Sequence, residues 1–285
     1  MKKGRIIVLL VVVALVAVLL PSCNGVTRNS VVAAGDTVSF ASVKLSDTTS
    51  FVKRNGERVA IFADATMNYP SHYRDPDATL ALQRLFITQL LDQGDTLTLQ
   101  EAMKAYVGNT LHQFDMVPAD APATEEMEDD GLEDAVYKYN TSTSIMPMRN
   151  ANGVVTLVKV EVVKKNDEVT SLTHRYFTVD LHTMTLVDPS KLFREDAIAT
   201  VCQLMKAELM RRNQVTTEEQ LNDLGYFNVD NIVVSRNFYF DEQGVTWSFL
   251  PGVLAVEALG EPCITLPYDV LKDFVADGSV LERVK

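Results

Sequence analysis

Histidine, cysteine and carboxylate side chains are the groups in this chain of 285 residues that could do acid–base, nucleophilic or metal chemistry. The 4 histidines are scattered along the sequence: His72, His112, His174 and His182. The last two lie on one predicted strand, where a rise of ~3.3 Å per residue would hold them about 26 Å apart. That separation excludes a shared metal ion, and a loop histidine such as His72 beside Asp75 is typical of a structural pair. The histidines therefore predict no metal site and no cofactor.

Known catalytic motifs are absent from the sequence. It contains no G-x-S-x-G nucleophile turn, no H-E-x-x-H zinc helix and no phosphate-binding loop. Carboxylate pairs are numerous, but in so acidic a chain a pair does not identify a glycosidase-like site. The sequence leaves catalysis uncertain and favours a protein that is not an enzyme.

Two cysteines lie in the body of the chain. Cys202 falls on the apolar face of a predicted helix, and Cys263 falls in the short apolar strand "PCITLP". Both thiols are interpreted as buried groups that behave as small hydrophobes. An oxidising compartment would permit a disulfide between them, and this alternative stays open. Two cysteines so far apart do not supply the ligands of a zinc site.

The N-terminus has the layout of an export signal. Three basic residues precede an unbroken apolar run at 6–20, which is shorter than the about 20 residues of a membrane span. The run ends in "LPSC", which resembles a bacterial lipobox. This resemblance implies cleavage after residue 22 and lipidation of the Cys23 thiol. An uncleaved anchor helix and an ordinary signal are the alternatives.

The same resemblance implies a location. A lipid on Cys23 would anchor the chain to a membrane on the periplasmic side of the cell envelope. Asn24, where inner-membrane lipoproteins carry aspartate, favours the outer membrane, and no acidic tag indicates display on the cell surface. Residues 23–37 are small, polar and lightly patterned, so they predict a tether.

Composition limits the classes of partner. Hydrophobic residues make up 47% of the chain, which predicts a globular core, and the formal net charge is −12. So negative a protein is unsuited to nucleic acid or to an anionic membrane surface. A basic protein would be a better electrostatic match. Acidity also keeps an exported protein soluble, without reference to any partner.

Helices and strands alternate in the first half of the body. Alternating apolar residues in "RVAIFADATMNYP" predict a half-buried strand that Pro70 closes. Asp77 is predicted to cap the next helix and Gly94 to end it. Thr98 and Glu101 form a capping-box pattern at the start of the clearest amphipathic helix.

An acidic segment and a run of strands follow. Residues 119–131, "ADAPATEEMEDDG", predict a mobile loop, and their spacing does not match a calcium-binding EF-hand. Three strand-like stretches separated by "RNANG" and "KND" then predict an antiparallel meander. Asp188 and Pro189 open a helical region, and Thr217 with Gln220 forms a second capping-box pattern.

An aromatic hairpin characterises the C-terminal part. Phe238 and Phe240 alternate with Tyr239, and Trp247 lies on the returning strand after a turn that contains Gly244. A strand at 264–266 and a helix at 268–275 complete the prediction. Strands interleaved with helices predict an α+β fold, with antiparallel sheets covered by helices on one face, in two closely packed subdomains.

The spacing in this part resembles the extracytoplasmic domain of the RsiV-like anti-sigma factors, which sense lysozyme. The positions that carry the resemblance are Phe238, Tyr239, Gly244, Pro251, Ala255, Gly260, Pro267 and Tyr268. The resemblance implies an RsiV-like α+β domain at 183–285. Residues 38–182 are similar to the PdaC-like domain that accompanies it and that also occurs beside peptidoglycan deacetylase domains.

Two departures from that family bear on binding residues. Relatives have a glycine-rich turn that ends in histidine, and only His174 remains of it here. Gly252 and Val253 stand where relatives carry a tyrosine and an acid. The residues proposed to bind a ligand are His174 and two hairpin aromatics, Tyr239 and Trp247. The alternative for the hairpin aromatics is a place in the core.

These observations predict a non-catalytic cell-envelope lipoprotein that binds or senses a protein or a cell-wall glycan. A cell-wall-modifying enzyme, or an accessory subunit of a peptidoglycan deacetylase type, is one alternative. A lysozyme-binding module is another, by analogy with the sensing domains and because lysozyme is basic. The predicted partners are thus the membrane, through Cys23, and a basic protein or peptidoglycan.

Overall fold

The structure of the chain is a computed structural model that describes residues 37–52, 56–113 and 137–284. Cys23, most of the tether and the acidic segment 119–131 lie outside the described residues. The strands are β1 (Ser39–Val52), β2 (Arg58–His72), β3 (Tyr137–Ala151), β4 (Val154–Lys165), β5 (Glu168–Asp180), β6 (Thr185–Leu186), β7 (Phe238–Phe240), β8 (Gly244–Ser248) and β9 (Cys263–Pro267). The α-helices are α1 (Pro76–Gln89), α2 (Leu99–His112), α3 (Ile198–Arg212), α4 (Glu218–Asp223), α5 (Tyr268–Leu271) and α6 (Leu281–Val284).

The architecture is α+β, as the sequence predicts. One sheet has the strand order β1-β2-β3-β4-β5-β6, and a smaller sheet has the order β7-β8-β9. The pairing of β2 with β3 is parallel, whereas β1 with β2, β5 with β6 and both pairs of the small sheet are antiparallel. No helix among the described residues is long and apolar enough to span a membrane.

The described chain divides into two compact units. The first comprises residues up to 145 together with 162–171, and the second comprises 146–161 together with the residues from 172 onward. The sequence predicts a boundary at residue 182 instead. The division differs because β3, β4 and β5 are long, and each contributes residues to both units.

The first unit is built around β2. Its buried side chains alternate along the strand, from Val59 and Ile61 to Met67, as the sequence pattern predicts. Pro70 does not close this strand, which continues to His72; Pro70 lies opposite Phe40, next to a register irregularity that tolerates the missing N–H. Strand β1 has no counterpart in the sequence predictions, because its polar residues obscure the alternation.

Helices α1 and α2 bury one face each in the same unit. The Asp75 carboxylate caps α1 by accepting the Ala78 N–H, so Asp77 lies in the first turn and is not the cap. The helix ends at Gln89, before Gly94. In α2 the predicted capping box is confirmed, since Thr98 and Glu101 each accept the other's backbone N–H.

The second unit has its core around Trp247. This indole is fully buried, and its ring centroid lies 6.2 Å from that of Phe193. Helix α3 contributes Val201, Met205 and Leu209 to the same core, and the hairpin β7–β8 pairs as predicted. The capping box of Thr217 and Gln220 at α4 is also confirmed. The predicted helix at 268–275 is shorter, because α5 ends at Leu271.

Candidate binding site

The small sheet of the second unit has one apolar and one polar face. Phe238 and Phe240 are buried on the apolar side, whereas the side chain between them, Tyr239, is half-buried. Tyr239 lies opposite Thr246, and Phe238 lies opposite Trp247. Because side chains alternate along a strand, Trp247 and Tyr239 belong to opposite faces. Trp247, one of the residues proposed to bind a ligand, is therefore a core residue, and it lies on the face opposite to Tyr239.

His174 lies within ion-pair distance of Glu261. The His174 backbone N–H donates to Glu261 Oε1 at 2.6 Å, and His174 Nδ1 lies 2.9 Å from Glu261 Oε2. The Glu261 side chain is only 12% exposed, and that of His174 is 32% exposed. Both carboxylate oxygens are thus held by one residue of β5, in a place that water reaches only in part.

Asn237 fixes the backbone around this pair. Its side-chain oxygen accepts the N–H of Tyr176 at 2.8 Å, and its amide nitrogen donates to the carbonyls of His174 and Ser248, both at 3.1 Å. One amide therefore satisfies three backbone groups of β5 and β8. Such a bridge holds the two strands in a defined relation and presents the side chains of β5 beside the polar face of the small sheet.

Tyr176 and Tyr239 form an aromatic pair next to Glu261. Their ring centroids are 4.6 Å apart, with an interplanar angle of 42°. Burial raises the pKa of Tyr176 to about 12, and the nearby Tyr239, Cys263 and Glu261 act in the same direction. Burial also raises the pKa of Tyr239, although a hydrogen bond with Thr246 opposes the shift. A tyrosine hydroxyl is protonated at neutral pH, so both can donate hydrogen bonds.

Small hydroxyl and thiol groups line the rest of the polar face. Thr246 and Thr265 are cross-strand neighbours whose hydroxyl oxygens are 2.8 Å apart. Ser248 lies opposite Cys263, and its buried hydroxyl has no hydrogen-bond partner among the described residues. Cys263 and Cys202 are both free thiols in the structure. A buried hydroxyl without a hydrogen-bond partner is uncommon, because the missing hydrogen bond costs about 1–3 kcal/mol of stability.

The other histidines lie elsewhere. His182 Nδ1 lies 2.7 Å from Arg283 Nη1, and Arg283 Nη2 lies 2.6 Å from the Asp180 carboxylate. His112 is the last residue of α2 and His72 the last of β2. Within the described parts of the chain, no three His, Cys, Asp or Glu residues converge to hold a metal ion.

The arrangement can bind a polar ligand that also has an apolar face. Glu261 and His174 offer hydrogen-bond groups, the two tyrosine hydroxyls are donors, and the tyrosine rings offer apolar area. A small number of fixed polar groups among aromatic side chains is typical of ligand sites. The histidine–carboxylate pair also has the geometry that orients a general base, but no nucleophilic side chain among the described residues forms a hydrogen bond with His174.

Sequence reasoning found His174 and Tyr239 but missed Glu261, Asn237 and Tyr176. Glu261 lies between Gly260, whose φ is +70°, and Pro262. A carboxylate between these two residues was the available signal in the sequence, since glycine permits the positive φ of a turn and proline fixes φ after it. The sequence contains no comparable signal for Asn237 and Tyr176, because their roles depend on residues that are distant along the chain.

Comparison with known protein families gives a match in the C-terminal part of the chain. Residues 190–269 match a family described as a protein of unknown function, DUF3298. The match includes Asn237, Tyr239 and Glu261. It begins at residue 190 and therefore does not include His174. Comparison with curated proteins gives no match.

One solved structure described as a member of the DUF3298 family has a fold similar to that of this chain. A DUF3298 protein from Bacteroides fragilis NCTC 9343 superposes with a TM-score of 0.66 at 16% identity, covering 87% of this chain and 98% of that one. A DUF3298 protein from Pseudomonas aeruginosa PAO1 gives a TM-score of 0.49 at 12% identity, covering 85% of this chain and 97% of that one. The C-terminal part of this chain therefore carries a domain that matches DUF3298, and most of the chain has the fold of the Bacteroides protein.

Proposed function

We propose that this chain is a non-catalytic lipoprotein of the bacterial cell envelope that binds a protein or a cell-wall glycan through its C-terminal unit. The observation that carries the proposal is the meeting of His174, Glu261, Tyr176 and Tyr239 on one polar surface. The ligand class that suits this surface best is a glycan, because sugars combine hydroxyl groups with apolar ring faces.

Preorganisation supports a binding role. Asn237 holds three backbone groups around the site, and Glu261 is held by two contacts to His174, so these groups are in position before a ligand arrives. A site that is already ordered loses less conformational entropy on binding.

The envelope location rests on the sequence alone. The basic start, the apolar run at 6–20 and the "LPSC" tetrapeptide support export and lipidation at Cys23. Asn24 supports the outer membrane, and the segment at 23–37 would then act as the tether. In this location the C-terminal unit would meet peptidoglycan and exported proteins.

Isothermal titration of the soluble body, residues 24–285, tests the binding role. Peptidoglycan fragments are one titrant, and lysozyme, as a basic protein, is the other. We expect Glu261→Gln and Tyr239→Ala to weaken binding of the active titrant at least tenfold, a loss of about 1.4 kcal/mol. Glu242→Gln, which alters an exposed carboxylate in the β7–β8 turn, should leave binding unchanged. Absence of heat with both titrants would contradict the proposal.

An enzyme that modifies the cell wall is the second candidate. The observation in its favour is the 2.9 Å contact between His174 Nδ1 and Glu261 Oε2, which is how carboxylates orient catalytic histidines. Incubation with peptidoglycan, followed by mass analysis of deacetylated or released products, distinguishes the two functions. Products that disappear in His174→Asn would establish catalysis, whereas unchanged peptidoglycan together with measurable binding would support the binding role.

A further inference from the structure

Val256 and Leu259 lie over Gly225 in the second unit, and Leu224 precedes it in the chain; all three aliphatic side chains are exposed. Leu224 is 47% exposed, Val256 is 45% exposed and Leu259 is 46% exposed. A Cβ atom placed on Gly225 would lie 3.0 Å from Val256 Cγ2 and 3.4 Å from Leu259 Cδ1. Val256 and Leu259 therefore lie directly over the backbone of Gly225. These residues, Leu224, Gly225, Val256 and Leu259, are called the Gly225 patch below.

Backbone hydrogen bonds hold the two segments of the patch together. The Val256 N–H donates to the Gly225 carbonyl at 2.9 Å, and the Phe227 N–H donates to the Leu254 carbonyl at 2.9 Å. Tyr226 and Ala255 form an isolated β-bridge between them. The apolar side chains are thus presented on a fixed backbone, and the patch exists without any rearrangement.

The surroundings of the patch are acidic. Residues 218–225 and 256–261, which carry it, include five carboxylates and no lysine or arginine. Glu218 is paired with Lys206, and Glu261 is paired with His174. The other three, Glu219, Asp223 and Glu257, are exposed. An apolar surface within a negative rim disfavours a second copy of the same chain, because the two rims would repel each other, and it disfavours an anionic lipid surface for the same reason.

We propose that the Gly225 patch is a docking site for a basic amphipathic segment of a protein partner. Aliphatic side chains on one face of such a segment would cover Val256, Leu259 and Leu224. Lysine or arginine side chains beside that face would lie against Glu219, Asp223 and Glu257. This inference does not depend on the function proposed for the site of His174 and Tyr239.

A synthetic amphipathic peptide tests the inference. The probe is a fluorescent 14-residue helix with leucine on one face and lysine on the other, titrated with the full chain in non-ionic detergent and followed by anisotropy. Leu259→Ser combined with Val256→Ser should weaken binding at least tenfold. Val233→Ser, which removes a 58% exposed aliphatic side chain outside the patch, should leave it unchanged.

Two further experiments test the charge of the rim and the self-association of the chain. Asp223→Lys with Glu257→Lys should weaken binding and reduce its dependence on salt, and a peptide with glutamate in place of lysine should not bind. Equal binding by the patch variants and by Val233→Ser would overturn the inference, since the peptide would then be held by general acidity. A concentration-dependent dimer in sedimentation that is lost in Leu259→Ser would also overturn it, by assigning the patch to a second copy.

Discussion

Tyr176 illustrates how strongly the site alters a single side chain. Its hydroxyl is partly buried against Tyr239, with Cys263 and Glu261 nearby, and burial is the largest of the influences that raise its pKa to about 12. An unperturbed tyrosine has a pKa of about 10. The folded chain therefore favours the neutral hydroxyl, and ionisation of Tyr176 favours the unfolded chain.

The free energy of unfolding at alkaline pH should depend on this raised pKa of Tyr176. Because the folded pKa is raised, the contribution of Tyr176 is complete below about pH 10 and is lost as the pH rises from about 10 to about 12. Urea unfolding between pH 9 and 12 should show this loss in the native chain and a shallower loss in Tyr176→Phe. Identical alkaline limbs in the two proteins would contradict the prediction.

Asp180 shows the opposite behaviour. Burial, the largest single influence, raises its pKa, but the hydrogen bonds from Arg283 and from the His182 backbone, with the nearby charge, bring it below the ordinary value. A lowered pKa means that the stabilisation is present above the unfolded pKa of about 4 and is lost as the pH falls through the lower, folded pKa.

Replacing Asp180 should therefore change both stability and its acid dependence. Asp180→Asn is expected to lower the free energy of unfolding at pH 7 by about 2 kcal/mol, because a charge-assisted hydrogen bond is lost. The free energy of unfolding of this variant should also decrease less steeply as the pH falls below 4. Chemical unfolding measured from pH 2 to pH 7 checks both effects, and Asp196→Asn, at an 80% exposed carboxylate, is the matched control.

At the scale of elements, Gly244 decides how the small sheet is assembled. A Cβ atom on this residue would lie 2.0 Å from the backbone carbonyl oxygen of Leu266 and 2.9 Å from Pro267 Cα. The sequence suggested a turn glycine needed for positive φ. The structure adds a second requirement, the close approach of β9 to β8, where Gly244 lies opposite Pro267.

Gly244→Ala should consequently destabilise the chain. Backbone atoms cannot yield as a flexible side chain does, so the small sheet would have to shift, at a cost of about 3 kcal/mol. Gly108→Ala is the control, because Gly108 lies within α2 with no atom within 4 Å of an added Cβ. This substitution should stabilise the helix by up to ~1 kcal/mol. Thermal unfolding of both variants would reveal the opposite signs, and a harmless Gly244→Ala would refute the packing argument.

Elements were predicted well where the signal is local. The capping boxes of α2 and α4 and the hairpin β7–β8 each depend on residues that are neighbours along the chain. Strand β1 was not predicted, because its polar sequence shows no clear alternation. Its strand conformation depends on pairing with β2. The cap of α1 fell on Asp75 where Asp77 was expected, since Pro76 suits the first helical position and fixes the start.

At the scale of the whole molecule, the proposed lipid on Cys23 determines which partners are within reach. Mass spectrometry of the native protein should find residues 1–22 removed and acyl chains on the new N-terminus. Cys23→Ser should abolish the lipid and release the chain from the membrane fraction. A native protein that retains Met1 and lacks lipid would contradict this prediction and, with it, the proposed location.

The sequence by itself determined the α+β class, the capping boxes of α2 and α4, the aromatic hairpin and the acidic charge, because each follows from composition or from residues close together in the chain. Only the tertiary structure decided that Trp247 is core, that Tyr239 faces the other way, and that His174 meets Glu261. His174 and Glu261 are 87 positions apart, and their contact depends on how β5 lies beside the loop that precedes β9. Local patterns cannot specify such a pairing, because the packing of distant segments brings the two residues together.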